Sequence, residues 1–245
     1  MASPQTFSDW RNAGRWRWPQ GLLWLLAFAL PALWPGHALM VNEIAIVALF
    51  AVSLDLVLGY TGIVTLGHAA FLGFGAYCAA LFAKHIHPDP LLGLAVGMLA
   101  ATLLGALCSL TILRGSDLTR LMVTLGVALL LLELANKLDG LTGGSDGLQG
   151  VVMGPVLGRF EFDLYGQTAA WYSLSVLLLL FALARRWVHS PWGATLMAVR
   201  DNPLRAAAIG ISVPQRLAVV YTLAAGVAGA AGALLAQTTG FASLD

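Results

Sequence analysis

Four ionisable side chains stand inside long apolar runs of this sequence: Glu43, Asp55, His68 and Glu133. Titratable groups in such places are costly, and they usually face a bundle interior or a wet path and find a partner there. Glu43 and Glu133 fall near the expected ends of their segments, within reach of water. Asp55 lies one helical turn before Gly59. His68 sits within GYTGIVTLGHAAFLGFGAY (59–77), where five glycines and two threonines interrupt the apolar pattern. A lone histidine there packs more often than it reacts. The residues needed for catalysis are also missing. The sequence has no HExxH, no GxSxG and no paired aspartates at depth, and one histidine with one carboxylate is too small a set for zinc. It has no GxxxxGK[ST] either, so a P-loop ATPase is excluded, and energy would come from a partner or an ion gradient. These residues do not read as an enzyme's: none is placed as a nucleophile or a general base.

The elements that must position these residues are membrane spans. Of 245 residues, 59% are hydrophobic and only 10% charged, with a mean hydropathy of +0.81. A water-soluble domain runs at roughly 45–50% apolar and 25% charged. Positions 18–42, 56–83, 90–113, 164–184 and 217–244 carry no Asp, Glu, Lys or Arg. Windows of that length match the roughly 20 apolar residues of a membrane helix. Soluble enzymes, nucleic-acid binders and disordered chains are excluded. The expected fold is an all-α polytopic bundle of about seven spans, near 20–36, 38–58, 62–83, 90–113, 119–137, 169–188 and 216–237. With a cytoplasmic N-terminus (1–19), ten of the thirteen basic residues fall inside: Arg11, Arg15, Arg17, Arg114, Arg120, Arg185, Arg186, Arg200, Arg205 and Arg216. Lys84, Lys137 and Arg159 fall outside, the asymmetry of the positive-inside rule. Cys78 and Cys108 read as small buried apolar residues.

Two connections exceed simple turns. The outside loop 138–168 is rich in glycine and acids, which suits an ordered, solvent-facing loop. The inside loop 189–215 carries a helix start at Ser190–Pro191, a second at Asn202 or Pro203, and a stop at Gly210. Gly93 and Gly97, and Gly226, Gly229 and Gly232, form faces for close helix packing, within the bundle in preference to a dimer contact. The segment 59–77 admits two readings. One is irregular backbone at membrane depth, buried or lining a cavity; the other is a short GYTG turn followed by an ordinary helix.

Three blocks carry a family resemblance. GYTGIVTLGHAAFLGFGAYCAALFAKH (59–85), LTRLMVTLGVALLLLELANKLDGLTGGSDGL (118–148) and SPWGATLMAVRDNPLRAAAIGISVPQRLAVVYTLAAGVAGAAGALLA (190–236) resemble, in order, the LivM-type permeases of branched-chain amino-acid ABC importers. The resemblance implies a bacterial inner-membrane permease domain over 20–245. It also implies a second permease subunit, two ATPase subunits that bind the ATP, a periplasmic binding protein and membrane lipid as partners. No cofactor in this chain and no nucleic acid are implied. Leucine, isoleucine and valine are the implied cargo, while related systems carry urea, amides or aromatic acids. Carried over by position, coupling to the ATPase falls on Arg200, Asp201, Asn202, Arg205, Ala206 and Gly210. Arg205 stands where related permeases often have an acid, a departure that touches individual contacts. Asp55, Thr65, Gly67 and His68 are the candidates for lining the substrate path. Family members continue past this endpoint with further spans, so the chain is expected to be a fragment. An ion-coupled secondary transporter is the competing class; it needs no docking loop and favours a relay of intramembrane acids.

Overall fold

A computed structural model describes residues 18–112, 117–163 and 165–243. The N-terminal arginines Arg11, Arg15 and Arg17, with most of segment 1–19, and Arg114 lie outside the described residues. The described chain is helical: α1 (Trp18–Leu33), α2 (Ala38–Thr61), α3 (Ala69–His85), α4 (Pro90–Ile112), α5 (Asp117–Lys137), α6 (Asp139–Thr142), α7 (Gln167–Val188), α8 (Pro191–Asp201), α9 (Pro203–Ala208) and α10 (Val213–Thr239). Short 3₁₀ turns at Pro35–His37 and Gly144–Asp146 complete the set. Among the described residues β pairing is limited to two isolated bridges, Leu148 with Ala242 and Val156 with Phe160.

Seven spans are expected, and five helices have the length and composition to cross a membrane: α2, α4, α5, α7 and α10. α1 has 16 residues and an internal Pro31. At 1.5 Å per residue its described part is about 24 Å long, against a hydrocarbon core of about 30 Å. The third expected span, 62–83, is only partly helical. α2 runs through Gly59 and Tyr60 and stops at Gly62, whose φ of 72° is left-handed and whose N–H bonds back to the Leu58 carbonyl. Residues 62–68 are non-helical, and α3 begins at Ala69. This segment does not stay at the end of α2. It climbs alongside, because His68 meets Ser53, two helical turns back from Thr61. Of the two readings of 59–77, irregular backbone running back along the bundle is the one adopted, with Ile63, Gly67 and His68 buried and Val64 and Leu66 exposed.

α10 is the centre of the bundle, packed against α4, α3 and α2. Its glycines allow backbone to meet backbone. A Cβ on Gly229 would strike Ala101, one on Gly232 the Leu72 carbonyl, and one on Gly75 the backbone of Gly229. Gly97 lies against the Gly75 carbonyl. The small-residue faces are therefore consumed within the chain, where close approach supplies the dispersion contacts that hold apolar helices together in lipid. α1 runs along α7, with Trp24 against Phe181 and the Trp171 indole N–H donating to the Phe28 carbonyl. Cys78 and Cys108 are free and half-buried.

The bundle has two distinct ends. Arg185, Arg186, Arg200, Arg205 and Arg216 gather where α2 and α7 finish and α10 begins. At the opposite end the loop 138–166 is pinned to the core. Leu148 and Ala242 exchange backbone bonds, and the Gly154 N–H donates to the Pro88 carbonyl. Asp163 starts α7 by accepting from Gln167 N–H at 3.1 Å and Thr168 N–H at 2.9 Å. Partial burial opposes its charge, but these backbone donors outweigh that and hold its carboxyl below the usual value.

Candidate translocation and coupling surfaces

His68 is the one deeply buried member of the four ionisable groups; Glu43, Asp55 and Glu133 are on exposed helix faces. Its ring lies between Phe50 and Phe71, with centroids 5.7 and 5.6 Å away, and Phe71 in turn meets Tyr221 of α10 edge-on. The Nε2 atom is 3.1 Å from the Ser53 hydroxyl, and that hydroxyl donates its own proton to the Phe50 carbonyl at 2.6 Å. Which of the two atoms donates depends on the His68 tautomer. The other ring nitrogen, Nδ1, is buried and has no hydrogen-bond partner. An unmade bond of this kind costs about 1–3 kcal/mol.

Gly67 precedes His68 and is buried against α5, where a Cβ would run into the Thr124 carbonyl. The Thr124 hydroxyl accepts the Leu66 N–H at 3.4 Å. Thr65 is half-buried on the same stretch. Thr65, Gly67 and His68 are thus brought together between α2 and α5. Asp55 is not among them. It is two residues from Ser53, about 200° round the helix, and it opens instead into a groove between α2 and α7.

The arginine-end loop forms the two helices expected of it. Ser190 starts α8, its hydroxyl accepting the Gly193 N–H at 3.4 Å. Asn202 starts α9, its side-chain oxygen accepting the Arg205 N–H at 2.9 Å. Gly210, at φ 87°, ends it. α8 turns Gly193, Leu196 and Val199 inward, and three contacts tie it to separate spans. The Arg200 guanidinium donates to the Gly59 carbonyl at the end of α2 at 2.6 Å. Trp192 stacks on Trp187 of α7, with centroids 4.4 Å apart. The Arg216 guanidinium of α10 sits 4.7 Å over the Trp192 ring. The Arg200 stem also crosses Gly62, where the re-entrant segment begins.

The six residues assigned to coupling divide by geometry. Ala206 is 2% exposed and anchors α9, Asn202 caps it and Gly210 releases the chain. Arg200 bonds to α2 and, at 3.4 Å, to Asp201. Asp201 and Arg205 face outward. Beside them Leu204 and Ile209 are 84% and 70% exposed. Sequence reasoning missed this apolar pair, although bulky aliphatics flanking Arg205 in a polar loop were a readable signal.

A second polar set, also missed, holds the opposite end. Asn42 of α2 donates to Thr238 at 3.1 Å and accepts from Ser173 at 2.6 Å. Gln237 donates to the Pro90 carbonyl at 2.7 Å and accepts from Tyr172 at 3.1 Å. These uncharged groups link α2, α4, α7 and α10. A search limited to ionisable residues passes over them, whereas neutral amides inside apolar runs are the signal for such interhelical bonds.

Residues 38–245 match the model of the family described as branched-chain amino acid transport system / permease component. Relatives include the high-affinity branched-chain amino acid transport system permease protein LivM of Escherichia coli (strain K12). It is 25% identical over 91% of this chain and 59% of that protein. LivM of Salmonella typhimurium (strain LT2) is 27% identical over 90% of this chain and 58% of that protein. The chain thus spans somewhat under three-fifths of the curated relatives' length. No solved structure matches. With its multi-pass helical bundle and a family match over nearly the whole described length, the chain belongs to the permease components of branched-chain amino acid transport systems.

Proposed function

We propose that the chain is an inner-membrane permease subunit of an ATP-driven importer that moves leucine, isoleucine and valine received from a periplasmic binding protein. It works with a second permease subunit and two ATPase subunits, which bind and hydrolyse the ATP. The observation that carries this reading is α9. It is a short helix held rigidly on three spans through α8, yet it offers Leu204, Arg205 and Ile209 to the medium. An aliphatic pair around a cation on a fixed mount suits docking into an apolar groove with an acidic rim.

Coupling then follows from the connections. A push on α9 reaches α2 through Arg200 and Gly59, α7 through Trp187 and α10 through Arg216. The end of α2 leads directly into 62–68, so the same push displaces the segment that carries Thr65, Gly67 and His68. Alternating access needs two states that the partners bind differently. The re-entrant segment that starts at Gly62 is the element this reading assigns to the two states.

The test is Arg205→Glu, combined with Leu204→Glu, in cells or proteoliposomes containing the whole transporter. Expected are normal membrane insertion, loss of co-purification with the ATPase, and uptake lower by roughly tenfold or more, the scale of a lost interface hot spot. Unchanged uptake, or uptake that continues when the ATPase is inactivated, overturns the reading and favours an ion-coupled transporter.

A further inference from the structure

We infer that the groove beneath the 156–160 hairpin, at the end of the bundle that carries loop 138–166, holds one acyl chain of a membrane phospholipid and selects it by chain, not by headgroup. The inference stands apart from the transport reading. The groove has a volume of about 370 Å³. Its walls are the α7 face from Thr168 to Leu179, Leu91 at the start of α4, and Val156, Leu157 and Phe160 of the hairpin.

Every side-chain donor lining the groove is already spent within the chain. The Thr168 side chain bonds to Asp163. The Trp171 indole N–H donates to the Phe28 carbonyl, and the Ser175 hydroxyl to the Trp171 carbonyl. The Tyr172 hydroxyl serves the Pro90 carbonyl and the Gln237 side-chain oxygen. No charged residue is among the lining. The ammonium and carboxylate of a free amino acid would lose water here with nothing in its place, a cost that excludes it. Length and girth decide among apolar occupants. Thr168 and Leu179 are eleven residues apart, about 16 Å along α7. A helix with its side chains is about 10 Å across and over that length takes on the order of 1,000 Å³. A helix of a neighbouring subunit therefore does not enter, whereas a single hydrocarbon chain fits and runs the full length.

The groove opens onto lipid. Leu179 and, one turn further, Leu183 are exposed on a helix long and apolar enough to cross the membrane, so the groove is continuous with a lipid-facing surface. At its other end the hairpin is tight. Val156 and Phe160 exchange both backbone bonds, with Leu157 at φ 55° and Gly158 at φ 67° between them. Left-handed backbone suits glycine but is costly for a bulky side chain, and Leu157 is the one non-glycine residue to adopt it among the described residues. Strain of this kind persists where the surroundings make use of it. Leu157 is 69% and Phe160 57% exposed, so the posture gains little from contacts within the chain. Against an acyl chain the two side chains close the outer wall of the groove, and their dispersion contacts offset the strain. Arg159 and Glu161, both exposed on this stretch, carry opposite charges, so neither an anionic nor a zwitterionic headgroup is favoured.

The experiment is native mass spectrometry of the purified protein, loaded with phosphatidylethanolamine or phosphatidylglycerol of short or long acyl chains and then exchanged into lipid-free detergent. The wild type is expected to keep one phospholipid of either headgroup alike, and to keep long chains several-fold better than short ones. Leu157→Gly is expected to lower that retention several-fold while leaving the melting temperature unchanged or raised, since glycine adopts the left-handed turn without strain. Ser175→Trp, which fills the groove from α7 without altering charge, is expected to lower retention by a similar factor. Leu183→Ala, on the lipid-facing surface outside the groove, is expected to leave retention unchanged. Wild-type retention by either groove variant overturns the inference, and so does retention governed by the headgroup. Displacement of the lipid by free leucine, which would make the groove a substrate subsite, overturns it as well.

Discussion

Helices α5 and α10 have the same mean hydropathy, and each is long enough to cross a membrane, yet they occupy opposite positions. α10 is largely buried at the centre, whereas α5 is exposed along nearly all its length, with Leu118, Met122 and Leu130 each more than 60% exposed. The difference is size. α10 turns Gly226, Gly229, Gly232 and a run of alanines toward α3 and α4. α5 carries leucines on every side and touches the bundle closely at Thr124 and Ala135. In lipid, apolarity alone gives no reason for two helices to meet, so the helix whose backbone can be approached becomes the centre.

The sharpest attempt to break this comparison places the same substitution on both helices. Gly232→Leu drives a side chain into the Leu72 carbonyl. It should cost at least the 1–3 kcal/mol of ordinary overpacking, because backbone cannot step aside. Loss of folded, detergent-stable protein is the expected result. A Cβ on Gly126 of α5 meets nothing within 4 Å, so Gly126→Leu should leave the melting temperature unchanged or slightly raised, since glycine is a poor helix former. Equal damage at both sites would refute the size argument.

A smaller effect is expected where α5 does touch the core. Gly67→Val collides with the Thr124 carbonyl, and the relief available is for α5 to move outward. Cys78 lines the cleft of about 140 Å³ between α3 and α5. In a Cys108→Ser background, its labelling by a membrane-permeant maleimide should rise several-fold, with stability lowered by about 1–3 kcal/mol. Unchanged labelling would mean that α5 is held by something other than this contact.

At the arginine end of α10, Arg216→Ala removes the cation–π contact with Trp192. About 0.5–1 kcal/mol is expected for this partly exposed pair, seen as faster proteolysis of the 189–215 loop without loss of the bundle. Weakest of all is Asp163→Asn at the start of α7. The carboxyl is held below its ordinary value in the folded chain, so the stabilisation is present at neutral pH. It disappears as pH falls through the folded value. The site is solvent-screened, so under about 1 kcal/mol is expected at pH 7. Wild type and variant should converge in acid; a difference that persists there would contradict the assignment.

Local signals were legible. The fourth expected span, 90–113, is the helix Pro90–Ile112, and Ser190 and Asn202 cap the helices they were expected to start. Each depends on residues within one turn of one another. The 62–68 segment was legible only as a pair of alternatives. Its glycines permit both, and the contacts that decide between them, with Ser53 and Thr124, lie 15 and 58 residues away. Grouping Asp55 with His68 as path candidates was reasonable from their shared depth. In the structure Ser53 meets His68, and Asp55 lines the groove beside α7. Leu204, Ile209 and the Asn42–Ser173–Thr238 set went unread because attention fell on ionisable groups.

The sequence by itself determined which segments are apolar enough to leave water, where the helices of the arginine-end loop begin, and which basic residues collect together. These follow from composition, proline and capping chemistry acting over a few residues. Only the tertiary structure decided that α10 is the centre and α5 the rim, that His68 is buried with one ring nitrogen unpartnered, and that a charged groove opens between α2 and α7. These outcomes turn on which backbones approach each other, and that depends on the sizes of facing side chains far apart in the chain.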